Sequence, residues 1–194
     1  MKTRTFTVVA MIAAAGCTQP ATQYPAPAPA APAPAPKPPP PAPIPRTTAT
    51  AVVRDLAGRT VGTVNFADSH AGVILTGDVT GVGLGAHGIH IHEIGKCEAP
   101  FTSAGNHFNP TGKKHGFKSA DGPHLGDLPN IDTPAAGKLK FEFLLPGVTL
   151  KGPQGMLDAD GASIVIHGSR DDYASDPSGG SGGRIACGVI VPAR

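Results

Sequence analysis

From residue 47 onward, apolar and polar positions alternate in short runs. Residues 49–56, 60–68, 72–80 and 88–92 each read as a β-strand bounded by Gly, Asp or Ser, and the same texture returns at 138–145, 162–167 and 184–191. No segment sustains a period of 3.6 residues. The pattern predicts an all-β domain of about eight antiparallel strands, a Greek-key barrel or sandwich. Between Glu93 and Ala136 the alternation gives way to Gly, Pro, Lys and His. A loop that long inside one domain is usually functional.

Ahead of this domain the composition changes. Lys2 and Arg4 precede an apolar stretch that ends in Ala14, Ala15 and Gly16, directly before Cys17. This order of charged region, hydrophobic core and small-residue cleavage zone predicts a signal peptide over 1–16, and the stretch is too short to span a bilayer. Small residues running up to a cysteine resemble a bacterial lipobox, which implies cleavage before Cys17 and a lipid on its thiol. An ordinary secretory signal with an incidental cysteine is the alternative. Residues 20–45 hold 13 Pro and 8 Ala. Proline fixes φ and removes the amide donor, so 17–46 is expected to be a lipidated N-terminus and an extended spacer, reaching at most ~80 Å at ~3.1 Å per residue. An SH3 or WW ligand is the competing reading, but such readers belong to other compartments.

Charge follows the same boundary. The chain is +2 overall, yet residues 1–46 carry four basic groups and no acid, which leaves the domain over 47–194 at −2. No basic face invites nucleic acid, and no nucleic-acid partner is expected.

Six of the eight histidines sit where metal chemistry would need them. His90 and His92 are i and i+2 on a predicted strand, so both imidazoles share a face while Ile89 and Ile91 point to the core. His87 has the opposite parity and reads as a structural, hydrogen-bonded histidine. Taken alone, the pair could equally be two half-exposed strand histidines. The long loop adds His107, His115, His124 and Asp127, and three imidazoles with one carboxylate suit tetrahedral zinc. Rich in Gly and Pro, the loop has no core of its own, and a metal is the economical agent to order it. A disordered basic loop containing Lys113, Lys114 and Lys118 is the other reading.

These words, with 88–95, 167–172 and 183–189, carry a resemblance: residues 47–194 are similar to bacterial copper,zinc superoxide dismutases. The resemblance implies His90, His92, His107 and His167 as copper ligands, and His107, His115, His124 and Asp127 as zinc ligands, with His107 shared between the ions. Asp171 resembles the carboxylate that ties a copper-ligand histidine to a zinc-ligand histidine. Arg184 resembles the arginine at the rim of the copper channel, with Lys113, Lys114, Lys118 or Arg170 as further candidates for steering the anion. With Cys17 set aside for lipid, Cys97 and Cys187 form an even pair, and in an exported domain a disulfide persists. It would close a loop of about 90 residues and stabilise by about 4 to 5 kcal/mol in the chain-entropy treatment.

The implied activity is dismutation of extracytoplasmic superoxide to dioxygen and hydrogen peroxide by a redox-cycling copper beside a structural zinc. His107 would relay a proton and Arg184 would attract the substrate anion. The expected location is the periplasm or cell envelope, with the membrane as a partner through a lipid anchor at Cys17. The family includes monomers and homodimers, so both remain open. A non-enzymatic periplasmic copper or zinc buffering protein on the same scaffold is the alternative function.

Overall fold

The computed structural model describes residues 47–152 and 155–193. The expected leader over 1–16, Cys17 and the Pro/Ala-rich segment lie outside the described residues.

Ten strands form in chain order: β1 (Thr48–Asp55), β2 (Thr60–Ser69), β3 (Gly72–Thr80), β4 (Gly85–His87), β5 (Ile89–His92), β6 (Ile131–Thr133), β7 (Lys138–Pro146), β8 (Ser163–His167), β9 (Arg184–Val189) and β10 (Val191–Pro192). Strong alternation builds the long ones. In β1 the inward Ala49, Ala51 and Val53 alternate with outward residues, and in β3 Val73, Leu75 and Val79 do the same. The main sheet runs β5-β8-β9-β1-β2-β3-β7, every pair antiparallel, with β10 lying beside the start of β1. Non-consecutive neighbours such as β3 with β7 and β5 with β8 are the long connections of a Greek key. β4 pairs with β6. Because β4 runs into β5 through Gly88, and β6 runs into β7 through a short turn, this small ladder links the two ends of the sheet and closes the barrel.

Phe66, Leu75, Ile89, Ile91, Leu145, Ile164 and Ile166 are fully buried at the centre. Gly77 sits opposite Phe141 in the β3–β7 register, where any Cβ would collide with the Phe141 ring. The glycine lets that ring lie across the strand.

Two departures from the sequence pattern concern the stretch from Glu93 to Ala136. It contains β6 and a 3-10 turn at Thr102–Ala104, both too short to show a period. Also, β5 is buried on both faces, histidines included. The long loop is folded over the face that would otherwise meet solvent.

Candidate metal centre

Backbone hydrogen bonds explain how a loop with no core is placed. On one side β5 pairs with β8, His90 opposite Val165 and His92 opposite Ser163. On its other side the loop itself completes the ladder. Ile91 N–H donates to Gly126 O at 2.9 Å, Phe108 N–H to Ile91 O at 2.8 Å, Gly126 N–H to Phe108 O at 2.8 Å and Glu93 N–H to Asn106 O at 2.9 Å. His92 thereby lies opposite His107, and His90 opposite Asp127. Glu93 reinforces the join, its Oε1 accepting from Asn106 N–H at 2.9 Å. At the end of β8 the register with β9 shifts between Ile166 and His167. There His167 N–H donates to Gly88 O at 2.8 Å, and the His87 ring donates from Nδ1 to His167 O at 2.8 Å. His87 is therefore a hydrogen-bonded support of the backbone at His167.

Two groups of four donor atoms result, each with its members within 4.8 Å of one another: His90, His92, His107 and His167 in one, and His107, His115, His124 and Asp127 in the other. In the first, His92 Nε2 faces His167 Nε2 at 3.4 Å. His90 Nδ1 and His107 Nε2 are buried with no hydrogen-bond partner. Buried ring nitrogens without partners are costly unless something accepts their lone pairs. Here they converge with two others, and a cation is the partner that all of them can share. In the second group Asp127 Oδ1 stands 2.8 Å from His107 Nδ1, 3.1 Å from His115 Nδ1 and 3.2 Å from His124 Nδ1. Its Oδ2 accepts the N–H groups of Gly116 at 2.8 Å and His124 at 3.0 Å, which fixes the carboxylate plane. The residues fit the implied ions: four imidazole nitrogens suit copper, and three nitrogens with one carboxylate oxygen suit zinc.

His107 belongs to both groups, offering Nδ1 to one and Nε2 to the other. Asp171 joins them a second time. Its Oδ2 accepts from His90 Nε2–H at 2.7 Å, and its Oδ1 stands 3.1 Å from His115 Nε2. Gly179, with φ of 66°, passes so close that a Cβ would run into Asp171 Oδ1 and His115 Nε2. Asn130 and Tyr173 were not marked by the sequence, because a lone Asn and a lone Tyr in loops carry no periodic or spacing pattern. Asp171 N–H donates to Asn130 Oδ1 at 2.8 Å, Asn130 Nδ2–H donates to Asp171 O at 2.8 Å, and Tyr173 N–H donates to Asp171 Oδ1 at 2.7 Å.

Protonation follows from this geometry. Burial, reinforced by neighbouring imidazoles, pushes His92 down to about 2 and His167 to about 3. Burial takes His107 to about 4 against the pull of Asp127, and it lowers His90 despite Asp171. All four are neutral at pH 7, with lone pairs free for a cation. Burial would lower His115 too, but its hydrogen bonds to Asp127 and Asp171 prevail and raise it to about 9. Burial would raise Asp127 and Asp171. Hydrogen bonds from the histidines, with backbone N–H groups, hold both well below the carboxylate range instead.

A cleft of about 350 Å³ opens onto His92, His107, His167 and Arg184. Arg184 begins β9 and is half-buried. Its guanidinium donates to Phe101 O and Gly105 O, each at 2.6 Å. Gly105 O also accepts from His92 Nδ1–H at 3.1 Å, so one carbonyl orients both residues. Of the cations marked as further steering candidates, none lines this cleft. Lys114 pairs with Asp176, Lys118 donates to Asp172 O, and Arg170 borders a separate hollow with Lys118 and Tyr173. A larger hollow of about 470 Å³ lies beside the disulfide and contains no histidine. The disulfide joins Cys97 to Cys187 with Cα atoms 5.7 Å apart.

The family profile described as Copper/zinc superoxide dismutase (SODC) matches residues 60–190. The chain is 44% identical over 137 residues to the Cu-Zn superoxide dismutase 1 of Aquifex aeolicus, covering 69% of this chain and 81% of that one. It is 43% identical over 148 residues to the Cu-Zn superoxide dismutase of Caulobacter vibrioides, covering 74% and 85%. Among solved structures, a SOD-like protein from Bacillus subtilis superposes with a TM-score of 0.71 at 37% identity, over 73% of this chain and 97% of that one.

Proposed function

The chain belongs to the copper/zinc superoxide dismutase family, and from that membership we infer that it converts superoxide to dioxygen and hydrogen peroxide, with His90, His92, His107 and His167 holding copper and His107, His115, His124 and Asp127 holding zinc. The observation that carries the assignment of residues is the placement of His107, whose two ring nitrogens serve two different donor groups. When bound, copper supplies one-electron exchange with the substrate, and zinc supplies fixed positive charge on the loop.

The chain's own residues account for the rest. Two superoxide anions and two protons become one dioxygen and one hydrogen peroxide. Arg184, fixed by two carbonyls, presents its remaining N–H groups to the cleft and orients the anion there. His107, which lines the cleft, can hold a proton at its buried Nε2 and give it up to the reduced anion, while Nδ1 stays against Asp127. On a domain of net −2, Arg184 at the cleft attracts a small anion by local field, not by total charge. The alternative of a metal-buffering protein is not favoured, because neither donor group lacks a member and Arg184 is present.

The disulfide fits an oxidising compartment outside the cytoplasm. We further propose that Cys17 carries a lipid and that the Pro/Ala-rich segment holds the domain off the membrane. Metal analysis of the purified protein beside a superoxide-decay assay tests the functional reading: one copper and one zinc per chain with rapid decay is expected, and a loaded protein without activity would overturn it.

A further inference from the structure

Two non-glycine residues among the described residues hold a positive φ: Phe101 at 70° and Tyr173 at 65°. Side chains other than glycine's avoid this conformation, and where it persists the surroundings must enforce it, frequently at a functional site. Phe101 already has an account, since its carbonyl receives Arg184. Tyr173 has none.

The surroundings of Tyr173 are fully connected. Its hydroxyl accepts Asn130 N–H at 2.7 Å, its carbonyl accepts Lys118 N–H at 2.9 Å, its ring lies 5.4 Å from that of Phe117, and the Lys118 ammonium sits 5.7 Å above it. Those contacts tie it to the loop beside His115 and to the residues leading into β6. Gly116 is pressed against the Tyr173 carbonyl so closely that no Cβ fits between them. With the ring and the carbonyl held, the left-handed turn of the backbone leaves the Tyr173 N–H aimed at Asp171 Oδ1 at 2.7 Å. That oxygen is the one facing His115, while the other oxygen of the same carboxylate holds His90.

We propose that Tyr173 is a positioning residue: its strained backbone, held at its carbonyl by Lys118 N–H and by the close approach of Gly116, aims an N–H that sets the Asp171 carboxylate plane and so couples the zinc group to the copper group. The inference rests on the ligand assignment above. It differs from a general packing role in one respect, because what matters is the conformation of residue 173 more than the presence of a tyrosine. Asn tolerates the left-handed region, whereas a β-branched Val rejects it, and both remove the ring and hydroxyl.

The test compares Tyr173→Asn, Tyr173→Val and Asp171→Ala in the fully copper- and zinc-loaded protein. Zinc release to a chromogenic chelator and the copper(II) EPR spectrum are recorded for each. Tyr173→Val is expected to release zinc about ten-fold faster and to move the copper spectrum toward that of Asp171→Ala, as loss of a group orienting a metal ligand generally does. Tyr173→Asn is expected to stay near wild type in both. Where Tyr173→Val does not fold, Tyr173→Ala disfavours the same conformation with less bulk and takes its place. Wild-type release and spectrum in the Val or Ala variant, with Asp171→Ala shifted, would overturn the role of Tyr173 alone. Equal shifts in the Asn and Val variants would also overturn it, since the aimed N–H would then not be the cause. An Asp171→Ala protein indistinguishable from wild type would remove the Asp171 link between the two groups, and with it the role of Tyr173, while leaving the ligand assignment standing.

Discussion

Replacing Arg184 with Ala removes the one cation that lines the cleft among the described residues while leaving the donor atoms of both metal groups in place. Two unit charges about 4 Å apart interact by about 1 kcal/mol in bulk water and about 4 kcal/mol at the effective dielectric of a protein surface. Arg184 is half-buried at the wall of an open cleft, so its effect on the anion falls between these limits. At about 1.4 kcal/mol per factor of ten, a loss of one to two orders of magnitude in the superoxide reaction is expected. Secondary damage should be small: Gly105 O keeps the His92 N–H after the guanidinium is gone, and His92 stays oriented. Stopped-flow or pulse-radiolysis decay of superoxide, measured against ionic strength with metal content checked in parallel, separates the causes. The wild-type rate should fall with added salt, because the screening length is about 10 Å at 0.1 M, and the Arg184→Ala slope should be flatter. Arg184→Lys should recover part of the rate and no more, since an ammonium cannot reproduce the fork that grips Phe101 O and Gly105 O while still facing the cleft. An Arg184→Ala protein with both metals bound, an unchanged rate and an unchanged salt slope would refute the reasoning.

Three further outcomes are expected. His107→Ala should perturb the copper spectrum and lower zinc affinity together, because one ring supplies an atom to each group; a variant that changes only one ion's binding would show that the sites are independent. Metal-stripped protein should melt highest near pH 6.5 to 7. His90, His92, His107 and His167 bind protons more weakly folded than unfolded, so stability climbs as pH rises from about 4 toward the unfolded value of 6.5. His115 binds its proton more tightly folded, so its contribution is complete below 6.5 and fades as pH rises through about 9. Melting temperatures recorded by circular dichroism from pH 4 to 9 that rise or fall monotonically would contradict this account. Finally, Cys17→Ser should release the protein from membranes with its activity intact, and a variant still pelleting with membranes would remove the lipid from the picture.

What the chain made legible was whatever has a period or a side-chain chemistry. β1, β3 and β7 are long enough for alternation to show, and His90-x-His92 on a predicted strand, followed by His107, His115, His124 and Asp127, gives a donor pattern that few other chemistries require. β4 and β6, three residues each, were invisible because a run that short has no period. The attachment of the loop to β5 was equally hidden. It is made by main-chain groups of Ile91, Phe108 and Gly126, and residue type enters only at Gly126, where a Cβ would run into Ile91 O. Tyr173 and Asn130 escaped for a third reason, since their contribution lies in a backbone angle and in two amide contacts, neither of which is written in residue type.

The same distinction explains why the cleft can be open and still hold its geometry. His107, the carbonyls that receive Arg184 and the Cys97 end of the disulfide all lie on one stretch of loop, and Arg184 and Cys187 lie on β9. The covalent link therefore joins the two segments that must stay in register for the anion to meet both the guanidinium and the shared imidazole. Cys97 and Cys187 pack with Phe101, Ala104 and Val165 into a small apolar cluster separate from the main core. Burial there is too slight to fix a long loop by itself, given about 1 to 2 kcal/mol of backbone entropy per ordered residue. Three restraints of different kinds hold the loop together, with the disulfide at one end, the ladder along β5 in the middle, and the donor groups on the far side. Because the ladder is main-chain and the disulfide covalent, the ligand side chains are left free to be chosen for the ions alone. That is why metal chemistry shows in the sequence while the scaffold that aims it does not.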